Sequence, residues 1–247
     1  MRPDTPHGWE RARGVLNAAG YRTIVRYLRG YHPDTILPGR GYGVHDTAAD
    51  AVSLLDAVGE EQAVLVGHDW GASIAYRAAA AAPGRIRAIC GIAIPHPRVL
   101  RPSIGLLWRA RHFVTLRLPT GSRLVRRRDF AYVDALMRRW APNWSGPERD
   151  ACLDDVKRCF ADPRVLDAAL AYYREVSREG VSRLSQPALI VGGTTDILGP
   201  ELLNRSPEAF DGRCDVLIAQ GAGHWPHREA ADPFEERLLA WLAGRES

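Results

Sequence analysis

The chain is poor in several things, and each shortage closes a class of function. Among its 247 residues there are four cysteines, Cys90, Cys152, Cys159 and Cys214, and no two of them form a Cys-x-x-Cys pair. That pattern is neither a disulfide framework nor a zinc site, and Cys90, inside an apolar run, reads as a small core residue. No apolar stretch approaches the roughly 18 residues of a membrane-crossing helix. No N-terminal segment has the shape of a signal peptide, so the expected location is cytoplasmic, with no membrane partner. Lysine is almost missing: Lys157 is the single lysine among 33 Lys and Arg residues. The net charge of +4 comes from scattered arginines interleaved with acids, which does not make the concentrated basic face of a nucleic-acid binder. The one dense run, Arg126-Arg127-Arg128, reads as a solvated helix face. Gly39, Gly41 and Gly43 lack the spacing and the strand-to-helix context of a dinucleotide fingerprint.

What remains is ordinary soluble composition, 46% hydrophobic and 25% charged, in a chain long enough for one large core. Hydrophobic spacing predicts a helix over 8–19, a strand over 21–28, a helix over 45–58, a strand over 63–67, a helix over 73–83 and a strand over 85–94. This alternation is an α/β parallel-sheet signature. After Pro95-His96-Pro97 the pattern changes. Residues 98–183 offer no strand and four helical stretches, around 108–118, 130–140, 147–160 and 164–178, which reads as an inserted helical lid. Strands return at 187–193 and 215–220, and a last helix at 232–243. The expected division is therefore a core in two parts, 1–97 and 184–247, around a lid at 98–183.

Serine is missing from the place where the chemistry points. Val64-Leu65-Val66-Gly67-His68-Asp69-Trp70-Gly71-Ala72 runs an apolar strand into Gly-x-Asp-x-Gly before an alanine-rich helix. This is the shape of a nucleophile elbow, a tight turn whose neighbours must be small. Here it carries Asp69. A carboxylate suits displacement at a saturated carbon, giving an alkyl ester of the enzyme that water must then cleave. The second step needs a general base and an oxyanion donor at the nucleophile's own carboxyl group; the Trp70 backbone N–H is one such donor by position. The alternative is that Asp69 only caps the following helix.

Ligands in open α/β sheets bind beyond the carboxyl ends of the strands. Two more titratable residues fall there: Asp196 in Gly-Gly-Thr-Thr-Asp and His224 in Gly-Ala-Gly-His-Trp-Pro. The chain order Asp69, Asp196, His224 gives nucleophile, orienting acid and base, as in α/β-hydrolases. A capping role for Asp196 and a surface-loop role for His224 are the plainer alternatives. His227 forms His-x-x-His with His224, but no further ligand stands at metal spacing, and neither a metal nor a cofactor is expected.

At these residues the chain resembles the epoxide hydrolase branch of the α/β-hydrolase superfamily: Gly67–Ala72, Pro95-His96-Pro97, Gly193–Asp196, Gly221–His224 and Leu28-Arg29-Gly30-Tyr31 carry the match. The resemblance spans nearly the whole chain and is least specific in the lid. It implies opening of an epoxide to a vicinal diol without a cofactor, with two lid tyrosines hydrogen-bonding the epoxide oxygen. Tyr173 matches the second tyrosine; His112 stands at the first. The plain alternative for both is helix packing. Trp108, Phe113, Trp140 and Trp144, in some combination, would line an apolar pocket, so the expected partners are a small apolar epoxide and water.

The departure from the family is at the start. Arg2-Pro3 matches the tail of the His-Gly-x-Pro turn that gives the second oxyanion donor, with Met1 in place of its Gly, and the strands that precede that turn have no counterpart. The third of them is interior, between the strands 21–28 and 63–67, and its ladder bonds, at about 0.5–1.5 kcal/mol each, would total about a domain's stability. This favours a start upstream of Met1. Two other functions stay open: a haloalkane dehalogenase, in which the Trp70 indole N–H binds halide, and an inactive hydrolase-like protein that serves as a binding module.

Overall fold

The computed structural model describes residues 5–37, 41–101, 103–176 and 179–244. Met1, Arg2 and Pro3, on which the oxyanion-turn expectation rests, lie outside them. The described residues form α1 (Glu10–Ala18), α2 (Val44–Val58), β1 (Ala63–His68), α3 (Trp70–Ala81), β2 (Ile86–Ile92), α4 (Ile104–Arg109), α5 (His112–Arg117), α6 (Gly121–Trp140), α7 (Pro147–Ala161), α8 (Pro163–Arg174), β3 (Ala188–Gly193), α9 (Pro200–Asn204), β4 (Cys214–Ala219), α10 (Pro226–Glu229) and α11 (Ala231–Ala243). The four strands pair in the order β1-β2-β3-β4, all parallel.

The period-2 alternation of strands sorts the core into two layers. Ala88, Cys90 and Ile92 of β2 and Leu189 and Val191 of β3 pack on Phe234, Leu238 and Trp241 of α11 and Ala12 of α1. Ile89, Ala188 and Ile190 point the other way, into a layer with α2, α3 and the helices that lie between β2 and β3 in sequence. All of these strand residues are fully buried, as expected of parallel strands covered on both faces.

Three expectations need correction. The strand over 21–28 is not formed: the stretch is irregular by its hydrogen bonding, and residues 22–27 make no backbone–backbone bond among the described residues. A cavity of about 350 Å³ separates it from β1, lined by Tyr21, Ile24 and Val25 on one side and Val64 and Val66 on the other. Its β-branched composition suits a strand, but a strand exists only through a ladder partner, and among the described residues none pairs with it. Secondly, the helix over 108–118 is two, α4 and α5, broken at Ala110-Arg111. Thirdly, α6 begins earlier than 130 and is interrupted at Arg127–Phe130, where Arg128, Asp129 and Phe130 have φ of 49°, 50° and 59°. The three arginines are exposed, yet Arg127 and Arg128 sit in this break rather than on a regular helix face.

Candidate active site

The turn after β1 is as tight as its residues allow. Asp69 has φ 53° and ψ −115°, a conformation costly for a residue with a Cβ. It persists because the surroundings fix it: the Asp69 N–H donates to Ile92 O at 3.1 Å, and a Cβ on Gly67 would stand 2.2 Å from Gly71 O. The turn lifts the Asp69 carboxylate above the carboxyl end of the sheet. One oxygen, Oδ1, accepts the Trp70 backbone N–H at 2.6 Å.

The loops after β3 and β4 bring two more groups to the same place. His224 Nε2 lies 2.8 Å from Asp69 Oδ2, and its Nδ1 lies 2.9 Å from Asp196 Oδ2. The three side chains, 155 and 28 residues apart in sequence, thus form one hydrogen-bonded chain, and all are buried. Burial opposes the charge on His224, but the two flanking carboxylates outweigh it and raise its pKa to about 10. Burial likewise opposes ionisation of Asp69; the hydrogen bond and positive charge of His224 outweigh it and hold the carboxyl well below the usual carboxylate range. Both shifts favour a carboxylate facing an imidazolium.

Two residues that sequence reasoning did not single out hold the histidine. His68 Nε2 sits 2.7 Å from the His224 carbonyl oxygen, to which it donates. Glu229 accepts the N–H groups on either side of His224, from Gly223 at 2.8 Å and from Trp225 at 2.9 Å. The His224 N–H itself donates to Trp140 O at 2.9 Å, which ties the loop to the end of α6. Glu229 lies five positions past the histidine and no motif marks it.

Asp69, Trp70, His112, Tyr173 and His224 line one cavity of about 350 Å³, with Asp196 behind His224. Its remaining wall is mainly apolar, including Ile94, Leu100, Phe113, Trp140 and Val181. Of the four aromatic lid candidates, Phe113 and Trp140 reach it. Trp108 is 68% exposed, and Trp144 packs on Trp225, ring centroids 5.5 Å apart. Tyr172 and Tyr173 of α8 both border the cavity, and their hydroxyls differ in what they meet. The Tyr172 hydroxyl donates to Arg29 O at 2.8 Å. The Tyr173 ring stands edge-on to Trp70 and Phe113, at 5.2 and 4.8 Å, and no hydrogen bond of its hydroxyl is made among the described residues. The His112 ring lies 6.1 Å from that of Tyr173. Burial lowers the His112 pKa to about 3, so its imidazole is neutral, and its Nδ1 is buried without a hydrogen bond.

A carboxylate held against an imidazolium, with one backbone donor already on it and an apolar cavity in front, is equipped for attack on a saturated carbon and for hydrolysis of the resulting ester. Known proteins of this build bear on the lineage. The chain is 28% identical over 283 residues to an epoxide hydrolase from Caballeronia sordidicola, an alignment covering 97% of this chain and 84% of that protein. It is 27% identical to epoxide hydrolase A of Mycobacterium tuberculosis, covering 99% and 88%. An epoxide hydrolase structure from an endophytic Streptomyces superposes with a TM-score of 0.82 at 24% identity, covering 99% of this chain and 87% of that one. The alpha/beta hydrolase family model matches residues 3–237. With that match running from before α1 into α11, over the elbow and both loops that meet it, the chain belongs to the α/β-hydrolase family.

Proposed function

We propose that the protein opens an epoxide, its ring seated in a mainly apolar cavity, to a vicinal diol through an ester on Asp69. The observation that carries this reading is the unbroken chain Asp196–His224–Asp69, opening on an apolar cavity that also holds the Tyr173 hydroxyl. An Asp69 oxygen attacks a ring carbon; the ring C–O bond breaks and its electron pair goes to the ring oxygen. An alkoxide is a poor leaving group without a proton. Tyr173 supplies one, with the neutral imidazole of His112 as a second hydrogen-bond donor to the same oxygen. Residues 98–183 serve as the lid that keeps the ester from bulk water.

The charges then order the second step. Esterification removes the negative charge of Asp69, one of the two that hold His224 protonated. With Asp196 alone beside it, His224 gives up its proton more readily; that proton passes through solvent to the Tyr173 phenolate left by the first step, which restores the phenol and leaves a neutral His224 as the base. It takes a proton from water, the oxygen of which attacks the Asp69 carboxyl carbon. The oxyanion that forms meets the Trp70 N–H; collapse expels the diol, whose departing oxygen takes the proton of the newly added hydroxyl, and so restores the carboxylate.

A second reading has its own support. The Trp70 indole Nε1 is buried without a hydrogen-bond partner beside the nucleophile, where a halide leaving group would find a donor. One experiment separates the two. Styrene oxide and a bromoalkane are each mixed with the protein, the reaction is quenched in acid, and the peptide carrying Asp69 is weighed. An adduct from the epoxide, with diol release that His224→Gln blocks, is expected. An adduct from the bromoalkane alone would replace the epoxide reading with a dehalogenase. No adduct from either on folded protein would leave a binding module.

A further inference from the structure

The helix that follows Asp69 carries a buried cation with no carboxylate partner among the described residues. Ser73 and Arg77 stand four and eight residues past Asp69, on the α3 face that lines the catalytic cavity. Arg77 is only 8% exposed. Its guanidinium makes one hydrogen bond, from Nη2 to Glu179 O at 2.8 Å, and its buried Nε has no partner. No carboxylate lies within 4.0 Å of it among the described residues. Two acids share that end of the cavity, Glu175 and Glu179, and both are engaged elsewhere. Glu175 Oε2 accepts the Tyr42 N–H at 2.7 Å, and Glu179 Oε2 lies 2.9 Å from His45 Nε2. Both are exposed at the mouth.

A guanidinium offers five donors in a fork that matches a carboxylate, and a buried charge without a partner is costly. Here the cost is met at a cavity wall, where a bound molecule can supply the missing charge. We propose that Arg77 is the anchor for a substrate carboxylate, so that the natural substrates are amphiphilic epoxy acids: reactive ring at Asp69, apolar chain along Trp70 and Phe113, carboxylate on Arg77. This rests on the epoxide reading for the ring and is independent of it for the anion. Eight helical residues put the two Cα atoms about 12 Å apart. An arginine on a helix leans back toward the N-terminus, so the ring and carboxylate are separated by roughly 6–10 Å, a chain of medium length.

Two measurements test it. Calorimetry compares octanoate with octanamide, which share a chain and differ in charge. The protein binds octanoate about 10–100-fold more tightly, the range of a charged hydrogen-bonded contact, and Arg77→Met brings the ratio to about one, while Arg77→Lys keeps part of it. Kinetics then compare epoxyoctanoate, with the ring at the chain terminus, and its methyl ester. The ratio of their kcat/KM cancels any general loss in a variant; it favours the acid in the wild type through KM and vanishes in Arg77→Met. Equal binding of octanoate and octanamide by the wild type overturns the proposal, as does a preference that survives in Arg77→Met. If styrene oxide alkylates Asp69 and octanoate is not preferred, the anchor falls and the hydrolase stands. If octanoate is preferred and no epoxide alkylates Asp69, the reverse holds.

Discussion

The two edges of β1 have opposite fates. On one, Ala63–His68 pairs in register with β2, and through it with β3 and β4. The Asp69 N–H, turned toward β2, fixes the parity: Leu65 and Gly67 face the ladder, and the N–H and C=O groups of Val64, Val66 and His68 face the other way. There, beyond the cavity, residues 22–27 run past with no backbone hydrogen bond among the described residues. Every side chain of the Asp69–His224–Asp196 chain is mounted at the end of a laddered strand. The geometry of these three groups and the completeness of the ladder are therefore separable here: three strands and their loops place Asp69, His224 and Asp196 together, and among the described residues no hydrogen bond joins the unladdered stretch to them.

The largest effect expected on the laddered side is chemical. Asp69→Asn keeps the turn, because Asn tolerates positive φ, and removes the nucleophile. Turnover of a reactive epoxide should fall by about ten-thousand-fold with the melting temperature little changed. The same variant strips His224 of one carboxylate, so its pKa should move down from about 10, which an NMR titration reads directly. The sign for stability follows. A histidine raised above 6.5 adds stability that is whole below that value and gone by about 10; in Asp69→Asn the upper limit of that window drops.

Hydrogen exchange tests the comparison itself. Amides of residues 22–27 lack backbone partners and should exchange on the order of a thousand-fold faster than those of β2 and β3. Equal protection would mean that the stretch is laddered after all and that the contrast drawn here is wrong. Stability should divide along the same line. Ile89→Ala, in the core of β2, should cost about 2–5 kcal/mol in a denaturant melt; Ile24→Ala, on a residue 45% exposed in the loose stretch, should cost under about 0.5 kcal/mol. The neighbouring tyrosines should divide between chemistry and stability. Tyr173→Phe should lower kcat for an epoxide by about a hundred-fold and leave a bromoalkane unaffected. Tyr172→Phe should cost about 1 kcal/mol of stability and change kcat only a few-fold.

Much of this site was legible because the chemistry sits where local rules are strict. An apolar run ending at Gly67-His68-Asp69-Trp70-Gly71 admits few conformations, and the loops after β3 and β4 fall at strand ends by simple alternation. Short elements that begin with proline, α9 at Pro200 and α10 at Pro226, escaped notice because a helix of four or five residues has no periodicity to read; Pro at the first helical position was the available signal. The strand over 21–28 failed for a different reason. Its composition reports what would suit a ladder, and no local pattern reports whether a partner stands beside it. Arg77 was hidden in an alanine-rich helix, where one arginine looks like any solvated charge until two helical turns are counted from Asp69. Glu229 acts through backbone N–H groups, which leave no mark on residue identity.

The Tyr172 hydroxyl has a consequence beyond its one hydrogen bond. It grips the carbonyl of Arg29, and Arg29 is itself locked by a buried guanidinium to Asp50, at 2.5 and 2.8 Å, and to Gly41 O at 2.7 Å. The next residue on the same turn carries the hydroxyl that faces the cavity, rotated by about 100°. An α-helix is stiff over so short a span, so the hydrogen bond that pins Tyr172 to Arg29 also sets where Tyr173 stands in the cavity wall.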